Sequence, residues 1–298
     1  MIPETPLCYD LHSHSTCSDG TLAPKALVAR AAEKGVDVLA LTDHDSTQGL
    51  SEAAAQADKL GIQLINGVEI SVTWQGHLLH ILGLGIDPDY APMQAGLLRL
   101  REMREARAVA IGEKFEKKGI NGVLEGARAY ATGEIVSRAH FARYLQDKGY
   151  VSNFQAAFKK YLRKGKPCYV PCDWCELEEA VGWIKASGGQ AVVAHPARYQ
   201  MKMKLLEVML VEFKAMGGAG LEIVSGSHTP HDVKVMAALA EDIGLLGSAG
   251  SDFHDPDVVW RELGRIADLP EQCTPIWHDW QPGSKTGTQK AQAQVCNT

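Results

Sequence analysis

Along the chain, short β-leaning apolar runs alternate with longer stretches of helical period. An apolar run leads into Asp10-Leu11-His12-Ser13-His14-Ser15; 24–34 has helical spacing with Pro24 at its start and Gly35 as its stop; 36–41 reads as a buried strand. Residues 48–60 form an Ala-rich helix closed by Gly61, then 62–65, 68–72 and 77–84 read as strands. From 89 to 118 the pattern is one long charged helix, and helical segments continue over 134–148 and 152–163 without an intervening strand signal. After Gly165-Lys166-Pro167 the alternation resumes, with helices at 176–187, 203–216 and 231–243 and strands at 190–194, 220–224 and 245–249. Strands alternating with helices imply a parallel sheet, and this many units imply barrel-like closure. The expected organisation is an α/β barrel from 1–88 and 167–280, a helical insertion or lid over 89–166, and a tail over 281–298, Gln-, Gly-, Thr- and Lys-rich and without period, expected to be disordered.

The strands run into polar clusters. Residues i and i+2 of an extended chain share a face, so both imidazoles of His12 and His14 can reach one ion, with Asp10 placed to orient an imidazole from behind. Further on come Ser18-Asp19-Gly20, Thr42-Asp43-His44, Glu69 among apolar neighbours, His80 in its strand, His195-Pro196, Glu222 through Ser225 to His228, and Ser251-Asp252-Phe253-His254. Barrel enzymes build their sites where strand C-termini converge on one mouth. His12, His14, Asp19, His44, Glu69, His80, His195, Asp252 and His254 are too many ligands for one ion. An imidazole and carboxylate set without cysteine suits Zn²⁺, Mn²⁺ or Fe²⁺, and a carboxylate such as Glu69 can bridge two ions.

Composition narrows the setting. With 298 residues, 45% hydrophobic and 22% charged, a sizeable core is available. No run is long and apolar enough to span a bilayer and no signal-peptide pattern opens the chain, so a cytoplasmic protein is expected. Seven cysteines, an odd number, favour reduced thiols over a disulfide framework. Residues 99–166 hold sixteen Lys and Arg against seven Asp and Glu, a balance of +9 that leaves −15 for the remainder. Such a body disfavours wrapping double-stranded DNA, while the basic stretch remains compatible with gripping a small polyanion or one chain end.

The motifs Asp10-Leu-His-x-His-Ser, Ser18-Asp-Gly, Thr42-Asp-His, Gly67-x-Glu, His80, Ala194-His-Pro and Ser251-Asp-x-His resemble those of the PHP (polymerase and histidinol phosphatase) family, over roughly 1–87 and 176–266. The resemblance implies a distorted (β/α)7 barrel with up to three divalent metals: His12, His14, Glu69 and Asp252 on one, Glu69, His80 and His195 on a second, Asp19, His44 and His254 on a third. It implies phosphoester hydrolysis. Clustered divalent ions can lower the pKa of a bridging water and neutralise phosphoryl charge, so no Ser or Cys nucleophile is required. The Ser137-Arg138-x-His140-Phe-x-x-Arg143 segment of the insertion looks like the subgroup containing nucleoside 3′,5′-bisphosphate phosphatases and 5′-to-3′ exoribonucleases.

The expected substrate is thus a small phosphorylated molecule, nucleotide or short RNA. Arg138 is the preferred phosphate clamp because a guanidinium fork matches two phosphate oxygens; Ser137 and Arg143 stand beside it, and Lys164, Lys166, Arg198, Ser225 and His228 are further candidates. The bland alternative is that Arg138 pairs with Glu134 across one helical turn. Two other functions compete: histidinol-phosphate phosphatase, and a non-catalytic metal-stabilised regulator that binds RNA or nucleotide. Cys168-x-x-x-Cys172-x-x-Cys175 has radical iron–sulfur spacing but reads as ordinary thiols, and Trp74, Trp174 and Trp183 read as packing residues.

Overall fold

A computed structural model describes residues 7–199 and 201–280. Its strands are β1 (Tyr9–Asp10), β2 (Val38–Leu41), β3 (Gln63–Trp74), β4 (His77–Leu84), β5 (Cys175–Glu176), β6 (Gln190–Val193), β7 (Gly220–Ser225) and β8 (Leu246–Gly250). The sheet runs β1-β2-β3-β4-β6-β7-β8, with β5 pairing β3 outside this path. Hydrogen bonds from Leu11 N to Ala249 O (3.0 Å), Asp252 N to His12 O (2.9 Å) and His14 N to Phe253 O (2.9 Å) carry the last strand back to the first. The result is a distorted (β/α)7 barrel. The tail over 281–298 lies outside the described residues.

Two expectations change. The runs at 62–65 and 68–72 are one strand, since Asn66-Gly67 continues the ladder to β2 and β4 without a turn. The sheet is also not wholly parallel: β4 is antiparallel to both β3 and β6. The reason is local. Gln75 (φ 46°) and Gly76 (φ 73°) join Trp74 directly to His77 in a two-residue hairpin, and two left-handed residues give a turn whose twist matches the strands it connects.

The strand period sorts the core. Val38 and Ala40 of β2, Ile65 of β3, Leu82 and Leu84 of β4 and Val192 of β6 form one buried cluster with Leu11 and Ala194, while the alternate residues Leu39 and Leu41 pack outward on the helices α1 (Pro24–Glu33) and α2 (Leu50–Leu60). Ile70, Val72, Leu79, Ile81 and Val193 likewise face α7 (Leu177–Ala186), α8 (Met203–Ala215) and α9 (Pro230–Ile243). Following the inward series upward, Ile65 and Gly67 lead to Glu69, and Leu84 and Leu82 lead to His80. The barrel interior thus changes from hydrocarbon to ionisable groups within one strand length.

Between β4 and β5 lie α3 (Ala91–Glu116), α4 (Val123–Tyr130), α5 (Arg138–Asp147) and α6 (Phe154–Ala157), the last continuing as a π-turn over Phe158–Leu162. Phe115, Val123, Ala127, Phe141, Leu145 and Leu162 give these helices a core of their own. The helical pattern over 134–148 becomes helix only from Arg138, because Ser137 is extended and its Oγ accepts the Ala139 N–H as an N-cap. Helix α4 has no counterpart among the expected elements. Its Gly126 would argue against helix, yet the Tyr144 ring occupies the space a side chain would need, 2.1 Å from an added Cβ.

Leu82, fully buried in the barrel, is the test of this packing. Leu82→Ala is expected to destabilise the protein by about 2–5 kcal/mol, read from denaturant or thermal unfolding; a loss under 1 kcal/mol would mean the barrel interior is not close-packed.

Candidate metal centre

All nine residues of the imidazole and carboxylate set reach the barrel mouth. His12 and His14 follow β1, Asp19 lies in the next loop, His44 follows β2, Glu69 and His80 project from β3 and β4, His195 follows β6, and Asp252 and His254 follow β8. Their donor atoms fall into overlapping groups, each within 4.8 Å: His14, Asp19, His44 and His254; His12, Glu69 and His195; His12, His14 and Asp252; His44, Glu69 and His80. Glu69 joins the groups, its oxygens lying 3.4 Å from His12 Nε2, 3.3 Å from His14 Nε2, 2.8 Å from His44 Nδ1, 2.9 Å from His80 Nδ1 and 3.0 Å from His195 Nε2.

The donor set fits divalent cations. Nδ1 of His12 lies 3.0 Å from Glu222 Oε1, so it carries the proton and leaves Nε2 bare, 3.1 Å from Nε2 of His14. Two ring nitrogens facing one another can hold at most one proton between them. His44 Nδ1 and Glu69 Oε2 are 2.8 Å apart without hydrogen-bond alignment, and Asp19 Oδ1, 3.3 Å from His254 Nε2, and His195 Nδ1 are buried without a hydrogen bond. Buried polar atoms left unpaired and converging on shared points are the mark of ligands. Burial, with the His254 ring beside it, lowers His14 to about 3, and burial with Arg198 nearby lowers His195 to about 3, so both are neutral as ligation requires. Burial opposes charge on His12, but Glu222, Glu69 and Asp252 outweigh it and raise its pKa, the sign of a pocket that attracts positive charge.

The surrounding residues hold this arrangement. Asp43 accepts from Ser15 N (2.8 Å), Ser15 Oγ (2.6 Å) and Ser18 Oγ (2.5 Å), pinning the loop that carries His14 and Asp19. Asp45 accepts from Ser71 N (2.7 Å) and Arg104 Nε (2.6 Å), tying the end of β2 to β3 and α3. Three of the four non-glycine residues with positive φ, Asp45, His195 and Asp252, lie here among the described residues, and such strain persists only where its surroundings fix it. Asp10 does not orient an imidazole: its carboxylate accepts from Ser251 N (2.8 Å) and Gly264 N (3.1 Å), closing the barrel seam. That orienting task falls to Glu222, which also accepts from the His195 N–H at 2.5 Å. The sequence signal for Glu222 was the one that revealed Glu69, a carboxylate inside an apolar strand.

The candidates for substrate contact divide. Ser137 donates to Asp19 Oδ2 (3.0 Å) and Arg143 Nη2 to Asp19 O (2.8 Å), joining α5 to the centre. Arg138 does not pair with Glu134, which precedes the helix and lies 3.6 Å from Arg101; its guanidinium sits over Phe158 at 5.8 Å. Arg198 reaches Asp252 Oδ2 at 2.6 Å, joined by Arg261 at 3.1 Å, a residue the sequence reading passed over. Lys164 and Lys166 are exposed in the turn after the π-segment, and no contact ties them to the centre. Ser225 and His228 line a separate cavity. Arg107, also unanticipated, packs over Tyr169 (5.9 Å) and Trp174 (5.6 Å) and donates to Val170 O. Burial, then Arg138 and Arg104, push its pKa down to about 9.

A profile for the PHP domain matches residues 10–223. The chain belongs to the PHP family. It is 49% identical to a protein named 3′,5′-nucleoside bisphosphate phosphatase from Chromobacterium violaceum, over 91% of this chain and 95% of that one. It is 44% identical to the 5′-3′ exoribonuclease Rnm of Escherichia coli, over 93% and 95%. A solved structure of an amidohydrolase from Chromobacterium violaceum, with bound sulfate and no metal, superposes with a TM-score of 0.88 at 48% identity, covering 91% and 94%. This PHP protein is accordingly a hydrolase of the phosphoesterase kind, and these named activities do not favour the histidinol-phosphate alternative.

If Glu222 sets the His12 ring, Glu222→Ala is expected to weaken Mn²⁺ or Zn²⁺ binding about 10–100-fold, measured by chelator competition. Unaltered affinity in a folded variant would remove Glu222 from the centre's construction.

Proposed function

We propose that this PHP protein removes the 3′-phosphate of nucleoside 3′,5′-bisphosphates and, by the same displacement at a phosphodiester, releases nucleotides from the 5′ end of short RNA. The observation that carries this reading is a second charged centre beside the first. Burial, with Arg138 and Arg104 nearby, lowers the pKa of Arg107, and burial with Arg104 nearby lowers that of Arg138, while neither makes an ion pair to a carboxylate among the described residues. Half-buried like charges gathered without an ion-pair partner favour an anion between them. Arg138 stands at the start of α5, next to Ser137, whose hydroxyl holds Asp19. A substrate with one phosphate at the carboxylate and imidazole cluster and another at these guanidiniums satisfies both centres. A nucleoside bisphosphate and the 5′-phosphorylated end of an RNA share that form, which agrees with the names of both relatives.

His12, His14, Asp19, His44, Glu69, His80, His195, Asp252 and His254 would hold up to three divalent ions, Mn²⁺, Zn²⁺ or Fe²⁺. Bound there, such ions supply Lewis acidity, lowering the pKa of water and neutralising phosphoryl oxygens. The protein's own residues bind and orient. Glu222 fixes the His12 tautomer, Asp43 fixes the loop of His14 and Asp19, and Arg198 and Arg261 offer donors at the edge of the cluster for further phosphoryl oxygens. We read the helices over 89–166 as a lid that carries the second phosphate site. No helix among the described residues is long and apolar enough to cross a membrane, and the six cysteines described are free thiols, which suits a cytoplasmic enzyme.

The decisive comparison sets Arg138→Ala and Arg107→Ala against wild type on a nucleoside 3′,5′-bisphosphate and on an aryl phosphate. A clamp predicts a loss in kcat/KM of about 10–100-fold, equivalent to ~1.5–3 kcal/mol for a charged hydrogen bond, on the bisphosphate alone. Equal losses on both esters would reduce these arginines to scaffold. Removal of divalent ions by chelation is expected to abolish turnover, restored by Mn²⁺; full activity of metal-free protein would overturn the assignment of the nine ligands.

A further inference from the structure

On the side of β7 and β8, where the Gly226 N–H donates to Gly250 O, lies a cavity of about 670 Å³. Its lining combines Ser225, His228, Lys234, Trp260 and Arg265. Trp260 is 64% exposed, on a short 3₁₀ turn over Val259–Arg261, and its neighbour Val259 is 58% exposed. Large apolar side chains left this open call for an explanation, and the other tryptophans considered above give none: Trp74 and Trp174 are buried, and Trp183 packs against Gly96.

We infer that this cavity binds the second nucleotide of a 5′-phosphorylated RNA, with its base stacked on Trp260. The inference rests on the exoribonuclease half of the proposed function and extends it. Its first support is position. Arg261, next in sequence to Trp260, donates to Asp252 Oδ2 at 3.1 Å, while its Cγ lies 3.1 Å from where a Cβ on Gly226 of the cavity wall would stand. One side chain therefore touches both the cavity wall and a carboxylate of the metal centre, so the two lie side by side.

The second support is chemistry. Every base offers a π-face, so an exposed indole binds it without regard to sequence. Lys234 and Arg265 bring positive charge to the lining, and Arg265 donates to Val259 O, not to a carboxylate, leaving its charge for a phosphate. His228 donates from Nδ1 to Ile223 O at 2.9 Å, and its Nε2 is buried without a partner. That nitrogen is an acceptor awaiting a donor, and a ribose 2′-hydroxyl supplies one, as DNA does not.

The reaction places the second nucleotide on this side. Water adds at phosphorus, the P–O3′ bond of the first nucleotide breaks, and its 3′ oxygen leaves with one proton. The water oxygen stays on the phosphate, which remains attached to the second nucleotide as a new 5′-phosphate, the other proton passing to solvent. The released nucleotide belongs to the guanidinium side and the retained chain to the Trp260 side. A bisphosphate has nothing to place there.

The test compares wild type, Trp260→Ala and Trp260→Phe on a 5′-phosphorylated pentaribonucleotide and on a nucleoside 3′,5′-bisphosphate. Trp260→Ala is expected to lower kcat/KM on the RNA about tenfold, the loss of one base stack, to change the bisphosphate less than twofold, and to be largely rescued by Phe. His228→Ala should lower RNA turnover while leaving the preference for RNA over a 2′-deoxy substitution at the second nucleotide much reduced. Equal losses on both substrates, or none on RNA, would overturn the inference. Wild type that hydrolyses the bisphosphate but not RNA would overturn it and leave the phosphatase reading standing; inactivity on both would fell that reading first.

Discussion

A carboxylate with no exposure must be surrounded by groups that stabilise its charge, and Glu69 meets five imidazoles. The remainder of the mouth follows from that requirement. Its imidazoles must be held with specific nitrogens inward, which Glu222 does for His12; their loops must be pinned, which Asp43 does; and the turns carrying His195 and Asp252 must accept left-handed backbone. An isolated buried ion would be unaffordable at this depth, whereas a mutually oriented set becomes a receptor for cations. The hydrocarbon layer below, from Leu11 to Ala194, supplies the rigid floor against which this orientation is maintained.

Much of this was legible in the chain because most of the ligands follow strand ends, where an apolar run is terminated by His or Asp, while Glu69 and His80 stand out as ionisable residues inside apolar strands. The helical character of the insertion was legible too, since α3 keeps its period over 26 residues. What escaped were features decided by partners distant in sequence. Nothing local says that Asp10 faces Ser251 and Gly264 in place of a ring, or that Arg107 stands beside Arg138. Helix α4 was hidden because Gly126 reads as a breaker until Tyr144 is seen to need its space. The hairpin at Gln75-Gly76 was hidden because Gln is an uncommon left-handed residue, so the reversal of β4 had no strong signal.

The two centres at the mouth differ in how they are made. The carboxylate and imidazole cluster is supplied by six strands of one sheet, from the loops after β1, β2, β6 and β8 and from within β3 and β4, so its members keep their spacing as long as the barrel is folded. The guanidiniums of Arg107 and Arg138 come from α3 and α5, helices with their own core around Phe115 and Phe141. They are linked to the barrel through few polar contacts, chiefly Ser137 and Arg143 to Asp19 and Arg104 to Asp45. A cluster fixed by the barrel and guanidiniums on separately packed helices would suit the proposed enzyme, whose chemistry is fixed while the molecule around the phosphate varies.

The reversal of β4 has a further consequence. It delivers the chain to the end of the barrel opposite the mouth, and α3 must climb back past α7, where Gly96 meets Trp183, and past Asp45, where Arg104 docks, before reaching α4 and α5. At about 1.5 Å per residue its 26 residues span roughly 39 Å. The helix is thus a ruler. How far α4 and α5 stand from the end of β4 is counted in helical residues, so a turn gained or lost along α3 would move them relative to the barrel without altering the strands.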